Sequence, residues 1–125
     1  MVQRVSLYGI ILGARKRKYS DWRTPLITTL GTSSLDSEIS KGKVVVDFWA
    51  PWCSPCRALG KEIERVDSLR PDIKIVKVNV DERPDLVAQY GIKSIPLMLF
   101  VNNGGTPTAA SGLLKAEDII KKVDM

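Results

Sequence analysis

No histidine occurs anywhere in the 125 residues, and cysteine occurs only twice. A zinc site usually takes four protein ligands, or three and a water, drawn mostly from Cys and His. A zinc or iron–sulfur site here would therefore need a second chain or an external thiol. Cys53 and Cys56 stand too close in sequence to build the cross-linked framework of a small secreted scaffold. A bridge between them closes too short a loop to add much stability by restricting the unfolded chain. Also missing are internal repeats, low-complexity tracts and any apolar run of the ~20 residues that a membrane-spanning helix needs. What is present is ordinary for a globular protein, with 44% apolar and 26% charged residues in a length suited to one domain.

The net charge of +5 is unevenly placed. Arg4, Arg15, Lys16, Arg17, Lys18 and Arg23 precede residue 25 with a single acid, Asp21, and from 26 onward acids and bases balance. The basicity thus belongs to a segment, 1–24, and the remaining 25–125 form the domain. With no positive footprint on the domain, nucleic acid is not an expected partner. In the segment, Val5–Ala14 is largely apolar but runs into Arg15-Lys16-Arg17-Lys18, where a secretory signal would have small residues for cleavage. It reads as a basic, solvated extension; organellar import and contact with an anionic membrane are its alternative uses.

The informative stretch is Val44-Val45-Val46-Asp47-Phe48-Trp49-Ala50-Pro51-Trp52-Cys53-Ser54-Pro55-Cys56-Arg57. Its first half is short, β-branched and aromatic, which describes a strand buried on both faces of an α/β sheet. Apolar residues then recur at Ala58, Leu59, Ile63, Val66 and Leu69, the spacing of a helix that buries one stripe. The cysteines therefore fall at a strand-to-helix junction. A helix N-terminus offers unpaired N–H groups and the positive end of its dipole, both of which favour a thiolate at Cys53. Pro55 has no N–H to lose there. Asp47 is the anomaly, because a carboxylate inside a doubly buried strand is expensive unless it is neutral, paired or functional.

These residues resemble the active-site segment of the thioredoxin family. The resemblance continues in Lys77-Val78-Asn79-Val80-Asp81 and in Tyr90-Gly91-Ile92-Lys93-Ser94-Ile95-Pro96, and covers roughly Leu26 to Val123. It implies the thioredoxin fold, a central mixed β-sheet with a parallel βαβ half and an antiparallel hairpin, flanked by helices. It also implies a protein-disulfide reductase: Cys53 attacks a substrate disulfide, Cys56 resolves the mixed disulfide, and Asp47, with Lys77 close by, serves as the base. Pro96 corresponds to the family's cis-proline. Trp52, Ser54, Pro55, Ile95, Pro96, Gly112 and Leu113 would meet substrate, and Trp49 reads as core. No cofactor is expected beyond the redox-active pair, which an external reductase using NADPH or ferredoxin would recharge. The expected partners are disulfide-containing proteins and that reductase, for a monomer in the cytoplasm or, by import, an organelle. Ser54 replaces the family's usual glycine and Leu97 its usual threonine, so redox tuning and partner preference are where this chain departs.

Two other functions remain in view. An oxidase or isomerase of the same fold often carries histidine just before the second cysteine, where Pro55 stands here. A non-catalytic docking subunit would use the same surface without the chemistry.

The rest of the pattern predicts strands over 24–30, 73–80, 96–101 and 106–111. It predicts short helices from Ser33 or Ser34 to Ile39, over 83–90 and over 115–123. Strand and helix alternating through the first half imply parallel pairing.

Overall fold

The computed structural model describes residues 27–125; the 1–24 extension and the expected start of the first strand at 24–26 lie outside them. The elements are β1 (Ile27–Thr29), α1 (Leu35–Glu38), β2 (Lys43–Trp49), α2 (Ser54–Leu69), β3 (Ile73–Asn79), α3 (Pro84–Gln89), β4 (Leu97–Asn102), β5 (Thr108–Ser111) and α4 (Ala116–Asp124). The five strands form one sheet in the order β1-β3-β2-β4-β5. β1 and β2 both run parallel to β3, β4 runs antiparallel to β2, and β5 runs antiparallel to β4. This is the mixed sheet anticipated, with β2 at its centre.

The apolar alternation of each strand divides the interior in two. Val44, Val46, Phe48, Val76, Val78, Leu99 and Val101 pack with Leu35 and Ile39 around α1 and with Leu86 of α3. The opposite face carries Val45, Ile73, Ile75, Met98 and Phe100, and is covered by Leu59, Ile63 and Val66 of α2 with Ala116, Ile119 and Val123 of α4. Central β2 is consequently buried from Val44 to Phe48. Burying one Val, Leu, Ile or Phe side chain is worth about 1.5–3 kcal/mol, so the two layers supply most of the drive to fold.

Short helices and loops are fixed by polar contacts instead. Ser34 stands at the N-cap of α1, but its side chain makes no capping bond there. Ser37 Oγ instead donates to the Ser34 carbonyl at 3.0 Å, a hydroxyl bond within the first turn. Arg83 ties this region to α3, its guanidinium donating to the carbonyls of Gly31 and Ser33 at 3.0 and 2.7 Å. The β4–β5 loop leans on the loop before β2. Asn103 N–H donates to the Gly42 carbonyl at 2.8 Å, and Gly42 N–H donates to Asn103 Oδ1 at 3.0 Å. Gly104 sits at φ +72°, where a Cβ would come within 2.9 Å of the Ser40 carbonyl oxygen, so both conformation and space require glycine.

Candidate active site

Where β2 ends, Cys53 N–H donates to the Ala50 carbonyl at 3.2 Å, and the turn so formed delivers Cys53 to the N-cap of α2. Pro55 lies in the first helical turn and has no N–H to leave unsatisfied. The Cys56 N–H is therefore free to donate to Cys53 Sγ, at 3.2 Å. A backbone donor and the N-terminus of a 16-residue helix, the positive end of its dipole, thus meet at the Cys53 sulfur. The two sulfurs are joined as a disulfide, with the Cα atoms 5.2 Å apart. Cys53 and Cys56 are nearly buried, within a cluster completed by Ala50, Trp49, Val80 and Ile95.

Alternation along β2 puts Asp47 on the face of Val45, which α2 covers. Its side chain is fully buried, and neither carboxylate oxygen accepts a hydrogen bond from the described residues. Burial, opposed only in part by the charge of Lys77, raises its pKa from the usual 3.8 to about 6. The parallel register places Lys77 directly across from Asp47, and the antiparallel register places Met98 on its other side. Lys77 reaches this position without closing a hydrogen-bonded ion pair, because its ammonium lies 4.7 Å from the ring centroid of Trp49.

The outer surface of the site is apolar. Trp52 is 67% exposed and Leu113 55%, whereas Ser54 and Pro55 lie open beside Cys53. The Ile95–Pro96 peptide is cis, as the resemblance implies, and the Pro96 carbonyl accepts the Gly112 N–H at 2.9 Å. Trp52 and Ile95, with Val80, Val87, Ile92, Lys93 and Ser94, line a groove of about 370 Å³. Ile95 thus packs against the cysteine pair and shares the groove with Trp52, while Pro96, next in the chain, is bonded to Gly112. Leu97 is half-buried as the first residue of β4 and pairs with Ser111.

Two residues that were not assigned a role in the sequence help to shape this surface. Asp81 Oδ2 accepts the Trp52 indole N–H at 2.9 Å and fixes the ring at the groove. Arg57 donates to the Pro51 carbonyl at 2.9 Å and to Ser54 Oγ at 3.1 Å, bracing the loop across its own width. The serine that departs from the usual glycine is therefore engaged by the cation that follows the second cysteine. Arg57 could be picked out only as an uncommitted charge near the thiols, and Asp81 only through contact between distant segments. Among the described residues, no group of three or more His, Cys, Asp or Glu is placed to hold a metal ion.

A thioredoxin family model matches residues 27–125, all of the described chain. The chain belongs to the thioredoxin family. It is 45% identical over 94 residues to a thioredoxin of Chlorobaculum thiosulfatiphilum, covering 74% of this chain and 84% of that one. A Bacillus subtilis thioredoxin is 37% identical over 92 residues, covering 73% and 88%. An M-type chloroplastic thioredoxin of Pisum sativum is 37% identical over 101 residues, covering 78% and 59%. Among solved structures, chloroplastic thioredoxin z superposes with a TM-score of 0.71 at 30% identity, covering 78% and 91%. Like other thioredoxins, this chain is a thiol–disulfide oxidoreductase, reducing protein disulfides by exchange at Cys53 and Cys56. The exchange proceeds without a resident cofactor. Among the described residues, no helix is long and apolar enough to cross a membrane.

Proposed function

We propose that Cys53 is the attacking thiol and Cys56 the resolving one, a reading carried by the Cys56 N–H directed at Cys53 Sγ. The Cys53 thiolate attacks one sulfur of a substrate disulfide, forming a mixed disulfide and expelling a substrate thiolate, which takes a proton. Asp47 accepts the Cys56 proton. The Cys56 thiolate then attacks Cys53 Sγ, forming the internal disulfide and expelling the second substrate sulfur. The second expelled sulfur takes the proton held on Asp47, as the first took one from solvent, so two electrons have passed to the substrate and both its sulfurs end as thiols. With a pKa near 6, Asp47 is ionised at neutral pH and close enough to neutrality in proton affinity to exchange a proton there. Trp52, Ser54, Pro55, Ile95, Pro96 and Gly112 form the docking surface for an extended, largely apolar substrate segment.

The recharging partner is a thioredoxin reductase drawing on NADPH or ferredoxin, and the protein acts as a monomer. The cytoplasm is its proposed site, with organellar import through 1–24 the alternative; the pea relative is named as chloroplastic.

Reduction of insulin by the full chain with dithiothreitol tests the assignment. Cys53→Ser should abolish turnover, and Cys56→Ser should stop it after one attack and accumulate a mixed disulfide. Accumulation with Cys53→Ser instead would reverse the roles. A parent chain that leaves insulin unreduced, while a variant carrying both Cys53→Ser and Cys56→Ser still binds a partner, would leave only the docking-subunit reading.

A further inference from the structure

Trp49 reads as core in the sequence, but the structure gives it a more specific task. Its ring is half-buried at the end of β2, two residues beyond Asp47 and therefore on the same face of the sheet. The indole Nε1 is buried and donates no hydrogen bond to the described residues, so no polar tether sets the ring's orientation. What the ring does hold is a charge: Lys77 Nζ stands over it, 4.7 Å from the centroid. On the other side, α2 leaves room for the ammonium at Gly60, where an added Cβ would lie 3.9 Å from Lys77 Nζ. Lys77 is thus cradled between an aromatic face and a glycine, next to a carboxylate whose oxygens accept no hydrogen bond from the described residues.

We propose that Trp49 is a positioning residue: its ring face keeps the Lys77 ammonium beside Asp47 but out of a direct ion pair, and so sets how readily Asp47 accepts a proton. This rests on the reading of Asp47 as the base for Cys56. The two arrangements of Lys77 have different chemical consequences. Bonded to Asp47, the ammonium would lock the carboxylate in its charged form and weaken it as a base. Held over the indole, it moderates the cost of burying Asp47 without occupying its lone pairs. Burial and the charge of Lys77 are what act on the Asp47 carboxyl among the described residues. Met98 faces Asp47 from β4, and α4 turns Ala116, Ile119 and Val123 to this layer. From α2 come Leu59, Ile63 and Val66, with Cys56 tied up in the disulfide.

The test is the carboxyl-carbon titration of Asp47 by NMR in the oxidised full chain, the signal being assigned by its loss in Asp47→Asn. Trp49→Leu should lower the midpoint by about one pH unit as Lys77 swings onto the freed carboxylate, and Trp49→Phe, which keeps an aromatic face, by less. Lys77→Met should raise the midpoint. In the Lys77→Met background, Trp49→Leu should then change nothing further, which is the outcome that separates a role through Lys77 from simple exclusion of water. An equal fall with and without Lys77, or no fall in Trp49→Leu, overturns the proposal. Should Trp49→Leu not fold, Trp49→Phe with and without Lys77→Met makes the same comparison. The pH–rate profile of Asp47→Asn is read separately. If it matches the parent while the NMR midpoints move as expected, the base assignment fails and the positioning of Lys77 by Trp49 stands.

Discussion

At the scale of single residues, the site sets an ionisable group against the stability of the fold. Asp47 has a folded pKa of about 6 against an ordinary value of 3.8, because burial disfavours its charged form more than Lys77 favours it. The folded state therefore binds the proton more tightly than the unfolded one. The contribution of Asp47 to stability is full below pH 3.8 and is lost as pH rises through 6. At about 1.4 kcal/mol per pH unit, the loss by neutral pH amounts to at most about 3 kcal/mol. Asp47→Asn should consequently raise the unfolding free energy at pH 7 by up to that amount, with the gain vanishing near pH 4. Guanidinium denaturation at the two pH values checks this; a gain that persists at pH 4 would mean that the side chain acts by packing and not by its charge. Asp47 was legible in the sequence because a lone acid interrupts Val44–Trp49, and Cys53 because the strand pattern breaks into a helical one beside it. The role of Trp49 was not legible, since an indole in an apolar run looks like any other core residue. Only the parallel register of β2 against β3 brings Lys77, nearly thirty residues on, above its face.

Element boundaries came through where the local sequence punishes continuation. Pro84 opens α3, and Gly91 at φ +63° follows Tyr90, its C-cap. Ser34 shows the opposite case: it has the right chemistry for a cap, yet α1 is only four residues long and is held by Leu35 and Ile39 in the core and by Arg83 from α3. The final helix depends on a partner no local pattern could name. Lys115 offers α4 no side-chain cap, and the Ala116 N–H donates instead to Glu62 Oε1 of α2 at 2.9 Å. The same oxygen accepts from Arg65 at 2.7 Å, and Arg65 bonds Glu117 of α4 at 2.6 Å. These donors hold the Glu62 carboxyl below its ordinary pKa, the Ala116 N–H foremost. The support that Glu62 gives is therefore present at neutral pH and fades as the acid protonates. Glu62→Ala should lower the melting temperature by a few degrees at pH 7 and by less at pH 3, and Glu62→Gln, which keeps an acceptor for Ala116, should lower it less than alanine does. Equal melting temperatures for parent and alanine variant at pH 7 would show that the apolar seam of Ile119 and Val123 holds α4 unaided.

For the whole molecule, chemistry and charge are assigned to different stretches of chain. The reacting sulfurs lie at the end of the central strand, in a site whose walls come from β2, α2, the Ile95–Pro96 loop and the turn at Gly112. The described residues carry equal numbers of acids and bases, whereas 1–24 hold six bases and one acid. Exchange at a disulfide requires the first set and makes no evident use of the second. A basic segment next to an apolar one is attracted to anionic lipid by about 1 kcal/mol for each cation near the surface, an attraction that salt screens. Removal of 1–24 should accordingly leave insulin reduction within about twofold of the full chain, because no catalytic group is lost and the sheet has its own two-sided core. It should also abolish sedimentation with phosphatidylserine vesicles, which the full chain should show at low salt and lose at high salt. A tenfold fall in reduction on removing 1–24 would instead mean that the extension is part of the folded domain, through the β1 edge of the sheet that it immediately precedes.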